Sequence, residues 1–309
     1  MTQLVAIKAI LDHSIAVNQA VRVQGWVRSR RTSKGGFAFI HLHDGSCFDT
    51  IQAIADEALP NYDEINQLGA GCSVAINGTL VESAGRGQDR EIQAESVEVI
   101  GLVDDPESYP ISKKQHTYEF LRGVAHLRPR TNTFGAMARI RHCVANAVHN
   151  YFNQNGFFWI NTPIITASDC EGAGELFRVS TLDQVNRPEK QTYADDFFGT
   201  ETFLTVSGQL NVESYACALN KVYTFGPTFR AENSNTSRHL AEFWMIEPEI
   251  AFADLGTNAK LAEHFLQHVV SEILQRCADD LAFFQQRVDP DIIDRLQNVS
   301  CQPFATMTY

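Results

Sequence analysis

Residues 227–249 constrain the fold of this chain more than any other segment. They read PTFRAENSNTSRHLAEFWMIEPE, and two extended stretches, VYTFGPTFRAE and EFWMIEPEIAF, flank the polar connection NSNTSRHLA. β-Branched and aromatic residues on both sides of a polar connection are typical of paired antiparallel strands. The sequence therefore predicts an antiparallel hairpin.

Charged side chains in this hairpin alternate with Phe, Trp, Met and Pro. Arg230 and Glu232 are predicted to share one face of the first strand, and Glu247 and Glu249 share a face with Phe243 on the second. Burying a carboxylate without a partner is costly, so a solvated face with salt bridges is the alternative. The interleaved aromatic residues instead favour a concave site for a nucleotide and an amine-bearing substrate.

Residues 20–100 are predicted to form a small all-β domain. The segments VRVQGWV, FAFIHL, FDTIQAIA, CSVAINGTLVES and EIQAESVEVIG are strand-like, SRRTSKGG is predicted to be a loop, and residues 60–68 are helical. Five short strands with an interposed helix suggest an oligonucleotide-binding (OB) barrel. Other small barrels have the same strand count, so strand number alone leaves them open.

Charge supports a nucleic-acid partner only locally. The net charge of −12 argues against one, because phosphate binding is electrostatic. Residues 21–43, however, contain five Lys and Arg residues and no acidic residue. A solvated face explains those charges equally well when they are taken alone.

The segment after the barrel is predicted to be a linker followed by an α+β domain. We predict domain limits at residues 1–103, 104–120 and 121–309. The other predicted elements are a helix over 134–155 with Gly156 as its stop, a strand FFWINTPIIT with Pro163 inside it, a long polar loop over 181–200, and a helix over 257–281.

Composition excludes several classes of protein. No stretch approaches the ~20 apolar residues of a membrane span, and the N-terminus lacks the layout of a signal peptide. The seven cysteines are scattered without a CxxC pair, which is typical of free thiols in a reducing compartment. We therefore expect a cytoplasmic protein that has no membrane partner.

The motifs of the second domain resemble those of class II aminoacyl-tRNA synthetases. Phe229-Arg230-Ala231-Glu232 with Arg238-His239 resembles motif 2, and Gly156–Pro163 resembles motif 1. RAENSNTSRHLAEFWMIEPE, EGAGELF and LTVSGQLNVE are similar to the asparaginyl branch, and Gly25-Trp26-Val27 begins a match to its anticodon-binding barrel. The resemblance covers nearly the whole chain.

This resemblance implies an OB-fold barrel followed by a class II core, an antiparallel sheet flanked by helices. The implied reaction is ATP-dependent ligation of asparagine to tRNA(Asn) through asparaginyl-adenylate. ATP and Mg²⁺ are the implied cofactors, with no metal ligand named, and a homodimer would form through motif 1. The first step depends mostly on positioning groups and neutralising charge.

Each site residue carries an implied role. Arg230 would contact the α-phosphate and the attacking carboxylate, Glu232 the adenine region, and Phe243 would stack on the base. Arg238 and His239 would approach the outer phosphates. The amino-acid site would comprise Glu171, Gln209, Glu213 and Glu247, with residues 181–200 as a mobile lid.

The resemblance also implies how asparagine is separated from aspartate. The aspartyl branch has a lysine where this chain has Val212, followed by Glu213. A glutamate accepts a hydrogen bond from a carboxamide and repels a carboxylate. An aspartyl or non-discriminating enzyme is therefore disfavoured.

On the tRNA side, the resemblance implies that Phe39 stacks on an anticodon base, a contact worth ~1–3 kcal/mol. Arg28, Arg30 and Arg31 would meet phosphates or base edges, and Gln52 would read a base edge. Without the resemblance, Phe39 is better interpreted as an ordinary core residue of the barrel.

One departure from the family pattern leaves alternatives open. The Gly-rich, Arg-bearing motif 3 does not occur in the 309 residues, so we expect a core that is incomplete at the C-terminus and a catalytically impaired chain. A non-catalytic tRNA-binding paralogue is the alternative function. A related asparagine synthetase is also conceivable, although it would leave the barrel without a role.

Overall fold

Alternating apolar residues form a closed barrel in the first part of the chain. The computed structural model describes residues 3–85, 87–111, 116–170, 172, 175–183, 191–234, 236 and 238–308. The first elements are β1 (Gln3–Leu4), α1 (Ile7–Leu11), β2 (Ala20–Thr32), β3 (Phe37–His43), β4 (Ile51–Asp56), α2 (Tyr62–Ile65), β5 (Ser73–Glu82) and β6 (Arg90–Gly101).

The barrel closes because β2 is long enough to pair on both of its edges. The strand order is β1-β2-β3-β4-β6-β5, and β2 also pairs with β5. Among β2–β6, the strands that close the barrel, every pairing is antiparallel except that of β4 with β6, and β1 adds to β2 in parallel. Val21, Val23, Ile40 and Leu42 alternate along β2 and β3 and fill the interior. The predicted OB barrel is confirmed.

Two details of the barrel differ from the sequence prediction. Ser29–Thr32, predicted to be loop, continue β2, because a bulge between Val27 and Ser29 keeps the basic segment paired with β3. The turn is confined to residues 33–36. The elements β1 and α1 were not predicted at all, although Ile7 and Ile10 are fully buried against the barrel core.

The remaining elements belong to the second part of the chain. They are α3 (Tyr118–Gly123), α4 (Asn132–Gln154), β7 (Phe158–Trp159), β8 (Ile165–Thr166), β9 (Arg178–Val179), β10 (Thr202–Leu204), α5 (Gln209–Leu219), β11 (Lys221–Phe229), β12 (Glu242–Ile250), α6 (Leu255–Arg276), α7 (Ala278–Arg287) and α8 (Ile292–Cys301).

Helix α4 ends as its sequence predicts. Gly156 has φ of +77°, its N–H donates to the carbonyl of Asn153 at 3.2 Å, and the N–H of Phe157 donates to the carbonyl of Phe152 at 2.9 Å. This pair of bonds is the Schellman ending, and glycine adopts the left-handed conformation without a steric cost.

The strand predicted over residues 157–166 is wrong as a single element. It forms two separate two-residue strands, β7 and β8, in different sheets. Pro163 lies between them and has no N–H to donate to a ladder, so the pairing is interrupted there. β7 runs parallel to β11, which also pairs with β12.

The helix predicted over residues 257–281 is also divided. Cys277 has φ of −122° and ψ of 32°, which is not helical, so α6 ends at Arg276 and α7 begins at Ala278. The new helix start lets Asp280 in the first turn of α7 bond Arg139 of α4.

Contacts within the chain define two units. One comprises residues 1–141 and 277–292, and the other comprises residues 142–276 and 293–309. The predicted limits at 103 and 120 stay predictions. In the part of the chain that the structure describes, no helix has the length and apolar character needed to cross a membrane.

Candidate functional site

The hairpin of β11 and β12 carries much of the predicted substrate site on one face. Its register pairs Thr224 with Glu247 and Thr228 with Phe243, so these four side chains point to the same side. The hydroxyl of Thr228 donates to the carbonyl of Phe243 at 3.1 Å. The predicted antiparallel hairpin is confirmed.

Arg230 and Glu232 do not share a strand face, so that part of the prediction is wrong. β11 ends at Phe229, and the N–H of Arg230 makes a closing bond to the carbonyl of Ala241 at 3.0 Å. The next N–H, of Ala231, donates to the carbonyl of Glu175 at 2.8 Å. The chain thereby leaves the ladder, and Glu232 lies exposed in the loop.

Arg230 nevertheless lies beside Phe243. The guanidinium carbon is 5.5 Å from the ring centroid of Phe243, and both side chains are half-buried. A planar cation next to a flat aromatic face suits a base and its attached phosphate. Arg238 and His239 lie in the exposed loop, where His239 Nδ1 bonds the hydroxyl of Thr236.

Glu247 is held in place by the start of helix α5. The buried hydroxyl of Ser207 donates to one carboxylate oxygen, and the N–H of Gly208 donates to the other at 3.3 Å. The N–H of Gln209 in turn donates to the Ser207 hydroxyl at 3.1 Å. A carboxylate at the N-terminus of a helix is stabilised by the exposed N–H groups. Glu247 is therefore fixed on the sheet face.

Gln209 and Glu213 lie one turn apart on α5, and Gln209 Nε2 donates to Glu213 Oε1 at 3.0 Å. Burial raises the pKa of Glu249, and the nearby carboxylates of Glu213 and Glu247 raise it further. Carboxylates that disfavour one another's charge form a region suited to a cation.

Glu249 was absent from the predicted site residues. The alternation of Glu247 and Glu249 along β12 is the signal that could have identified it. Val212, by contrast, is fully buried in a cluster with Ile160 and Val222, so it contributes to packing and Glu213 is the side chain that points out of the helix.

A small open pocket lies beside Glu247. Asn161, Thr162, Thr205, Gly208 and Thr224 are among its lining residues. The hydroxyls of Thr162 and Thr224 are 3.0 Å apart. A Cβ on Gly208 would lie 2.7 Å from the Thr162 hydroxyl oxygen, so this approach requires glycine.

Part of the predicted amino-acid site and lid lies outside the described residues, namely Glu171 and residues 184–190. In the described part of the lid, Asp196 accepts hydrogen bonds from the Thr181 N–H at 2.9 Å and the Phe197 N–H at 2.8 Å. Bonds from Ser180, Thr181 and Phe197 hold the pKa of this carboxyl far below its usual range.

Metal binding has little support from side-chain clusters. Within the described ranges, no group of three His, Cys, Asp or Glu side chains is arranged to hold an ion. Mg²⁺ commonly uses one or two carboxylates together with substrate phosphates and water, so such a cluster is not required for it.

A second group of predicted site residues lies on the outward face of strands β2, β3 and β4, where Arg31 is exposed, Phe39 is half-buried and Gln52 is buried. Arg31 on β2 pairs with Phe39 on β3, and its guanidinium carbon is 4.9 Å from the ring centroid. Gln52 on β4 lies opposite His41, diagonal to Phe39, and its Nε2 donates to Glu91 at 3.0 Å. These side chains form a patch that combines an aromatic ring, a cation and an amide.

Arg28 and Arg30 bond to other groups of the protein and do not join this patch. Arg28 donates to the carbonyl of Arg130 and to the side chain of Asn132 at the start of α4, and burial lowers its pKa. Arg30 donates to the carbonyl of Leu68 at 3.1 Å and to the hydroxyl of Thr32 at 2.7 Å. The structure thus brings Arg31, Phe39 and Gln52 together but not Arg28 or Arg30.

The closed barrel is followed by a sheet of β7, β11 and β12, which carries the motif 1 and motif 2 segments and the acidic residues Glu247 and Glu249. This combination is the architecture of a class II synthetase. The family model for class II tRNA synthetases (D, K and N) matches residues 118–309, and the model for the OB-fold nucleic acid binding domain matches residues 21–100. The chain belongs to this family of class II tRNA synthetases.

The curated relatives that this chain resembles are named asparagine–tRNA ligases. The asparagine–tRNA ligase of Hahella chejuensis is 63% identical over 309 residues, covering 98% of this chain and 66% of the relative. That of Actinobacillus succinogenes is 58% identical over 314 residues, covering 100% of this chain and 67% of the relative. The chain therefore spans about two thirds of the length of these relatives.

Solved structures share the fold at low sequence identity. Asparaginyl-tRNA synthetase from Pyrococcus horikoshii, complexed with asparaginyl-adenylate, has a TM-score of 0.79 at 24% identity over 98% of this chain and 64% of that one. The Entamoeba histolytica enzyme with asparaginyl-adenylate has a TM-score of 0.74 at 22% identity over 93% and 62% of the respective chains. At these identities the likeness establishes the fold.

Proposed function

We propose that this protein ligates asparagine to tRNA(Asn) with ATP, through an asparaginyl-adenylate intermediate. The observation that carries the proposal is the sheet face on which Glu247 and Glu249 lie near Glu213, while Arg230 and Phe243 lie together at its other end. This face has an acidic region for an ammonium group and a cationic, aromatic region for a nucleotide. The named relatives carry the same specificity.

In the first step, the carboxylate of asparagine attacks the α-phosphorus of ATP and pyrophosphate leaves. Arg230 stabilises the charge on the α-phosphate and aligns the attacking carboxylate, since a guanidinium can donate to both. Phe243 stacks on adenine, Glu232 contacts the adenine region, and Arg238 and His239 approach the outer phosphates from the loop.

Gln209, Glu213 and Glu247 bind the amino acid, with Glu171 as a further ligand of the ammonium group. The Gln209–Glu213 bond orients both side chains toward one substrate. Glu213 accepts from the carboxamide NH₂ of asparagine and repels the carboxylate of aspartate. Residues 181–200 close over the bound substrate.

The proposed reaction uses ATP as its nucleotide and Mg²⁺ as its metal ion. When bound, Mg²⁺ neutralises phosphate oxygens. One or two carboxylates would suffice to hold it, because phosphates and water complete the coordination. No single ligand is assigned.

The barrel reads the anticodon. Phe39 stacks on an unpaired base, Arg31 contacts a neighbouring phosphate, and Gln52 contacts a base edge. Arg28 and Arg30 add positive charge to the surroundings of this patch, although both already bond to the protein itself.

The active form is a cytoplasmic homodimer that assembles through motif 1. Phe158 and Trp159 in this motif are 56% and 51% exposed, and apolar exposure of this extent is typical of an interface. Sedimentation equilibrium tests the proposal: the wild-type chain should dimerise and Trp159→Asp should not. A monomeric wild-type protein would contradict it.

ATP–pyrophosphate exchange is the decisive measurement for the reaction. It should be made with asparagine and with aspartate, on this chain and on the whole protein that its gene encodes. Exchange that depends on asparagine and is lost in Arg230→Ala supports the proposal. No exchange by the whole protein, together with retained tRNA binding, would replace the ligase with a non-catalytic tRNA-binding paralogue.

A further inference from the structure

The loop between β3 and β4 is tied down by its own hydrogen bonds, and none of the roles above uses it. The carboxylate of Asp44 accepts the N–H of Ile7 in α1 at 2.8 Å and the N–H of Ser46 at 2.9 Å. The ring Nε2 of His43 donates to the carbonyl of Cys47 at 3.2 Å. Side-chain bonds to nearby backbone groups hold a short loop in one conformation. The loop therefore moves with the barrel.

The end of this loop packs against helix α7. Cys47 packs against the barrel core, whereas the next residue, Phe48, lies on Phe283 of α7, with ring centroids 5.1 Å apart and ring planes inclined at 38°. Both rings are half-buried. Phe283 also lies 5.5 Å from the ring of Phe284, which is buried. Aromatic pairs at such distances contribute more than their buried area alone. The barrel is thus joined to α7 by ring packing.

Charge does not hold this junction together. Asp49 follows Phe48 in the loop, and Asp279 lies in the first turn of α7. Partial desolvation raises the pKa of the Asp49 carboxyl, and the carboxylate of Asp279 raises it further. Two carboxylates that disfavour one another's charge repel. The attachment of the loop to α7 therefore depends on the contact between Phe48 and Phe283.

Helix α7 passes this contact on to helix α4. Asp280, one turn before Phe283, bonds the guanidinium of Arg139 on α4 through both of its carboxylate oxygens. Helix α4 continues along the chain to Gln154, directly before the motif 1 segment. Packed side chains therefore connect Phe48 of the barrel to the helix that leads into the synthetase core.

We propose that Phe48 is a positioning residue for the transfer of asparagine from its adenylate to tRNA. The proposal rests on the proposed ligase function. In the transfer, a ribose hydroxyl at the 3′ end of tRNA bonds to the carbonyl carbon of the adenylate. The bond from that carbon to the phosphate oxygen breaks, AMP leaves, and the hydroxyl proton is released to water. A displacement of about 1 Å at the reacting atoms lowers such a rate about 100-fold.

The junction matters for this step because the two ends of the tRNA are held by different parts of the protein. The barrel holds the anticodon, so the direction of the barrel sets where the distant 3′ end arrives. Removal of the Phe48 ring in Phe48→Ala leaves a gap at α7 and lets the barrel tilt. Formation of the adenylate needs no tRNA, so it does not depend on that direction.

Three measurements on the whole protein that the gene encodes separate positioning from folding. In Phe48→Ala, single-turnover transfer from preformed asparaginyl-adenylate to tRNA(Asn) should slow about tenfold or more. Asparagine-dependent ATP–pyrophosphate exchange and the affinity for an anticodon stem-loop RNA should both stay within about twofold of wild type. Phe48→Leu keeps an apolar contact and should recover much of the transfer rate. A merely structural role would lower all three quantities together.

A double-mutant cycle assigns the effect to the ring contact. Phe283→Ala should slow transfer as Phe48→Ala does, and the double variant should be no slower than the slower single variant, because both remove the same contact. Gln286→Ala, at an exposed position on the same helix, is the control and should transfer at the wild-type rate.

The remaining outcomes would contradict one proposal or the other. Transfer at the wild-type rate in Phe48→Ala, or additive losses in the double variant, would overturn the role of Phe48 while leaving the ligase function intact. Loss of exchange or of stem-loop binding in Phe48→Ala would overturn it as well, since the residue would then support the fold. Absence of transfer by the wild-type protein would instead refute the proposed ligase function.

Discussion

Removal of Arg139 should destabilise the chain strongly. Its guanidinium holds Asp280 with three contacts, Nη2–Oδ1 at 2.7 Å, Nε–Oδ2 at 3.1 Å and Nε–Oδ1 at 3.2 Å. The Asp280 side chain is only 8% exposed, against 21% for Arg139. In Arg139→Met the carboxylate stays buried without a cation, which costs about 3–5 kcal/mol. Because water reaches the arginine side, we expect about 3 kcal/mol.

Urea unfolding followed by circular dichroism measures this loss in the transition that involves α4 and α7. Arg141→Met, an exposed arginine on the same helix, is the control and should lie within about 0.5 kcal/mol of wild type. The double variant Arg139→Met/Asp280→Leu should recover most of the stability, since no charge is left unpaired. A loss below about 1 kcal/mol in Arg139→Met would refute the reasoning.

Three further substitutions test other parts of the structure. Glu213→Lys should lower asparagine-dependent exchange by the whole protein about 100-fold or more, because the new cation repels a carboxamide NH₂ group; unchanged exchange would remove Glu213 from the site. Gly156→Ala should cost about 1 kcal/mol in urea unfolding, because alanine is strained at φ of +77°, and a neutral result would contradict the Schellman ending. Asp196→Asn should lower the thermal midpoint at neutral pH. The depressed pKa of Asp196 stabilises the fold above the ordinary pKa of an aspartate and loses this effect as pH falls below it, so the difference from wild type should shrink in acid; a constant difference would contradict the assignment.

Much of the barrel could be predicted because its strands alternate. Val21, Val23, Ile40 and Leu42 follow the period of two that places every second side chain inside. The end of β2 could not be predicted in this way, because the bulge after Val27 shifts the register and Ser29–Thr32 are polar. Pairing with β3 decides the conformation of that segment, and pairing is a property of two segments together.

The candidate site was predictable in its residues more than in its geometry. Family motifs identified Arg230, Phe243 and Glu247, and the structure brings the first two together. The break after Phe229 depends on a bond from Ala231 to Glu175, 56 residues away, which no local pattern reports. The alternation along β12 offered a sequence signal for the missed Glu249, but the pKa that burial and the nearby Glu213 and Glu247 carboxylates raise can be seen only in the fold.

Two of the three predicted anticodon arginines show the same limit. Arg28 and Arg30 belong to a basic run that indicates a nucleic-acid face, yet both side chains bond to groups of the protein itself. The composition shows which charged residues the chain contains. It does not show which of these side chains bond to the protein itself once the chain is folded.

The discontinuous first unit has a consequence for the order in which the chain assembles during synthesis. Arg139 and Asp280 are 141 positions apart, and residues 142–276 must leave the ribosome before they can meet. The barrel strands, which are complete by residue 101, can pair much earlier. While the second unit is being translated, the nascent chain should therefore contain a folded barrel and an α4 helix whose Arg139 has not yet met Asp280.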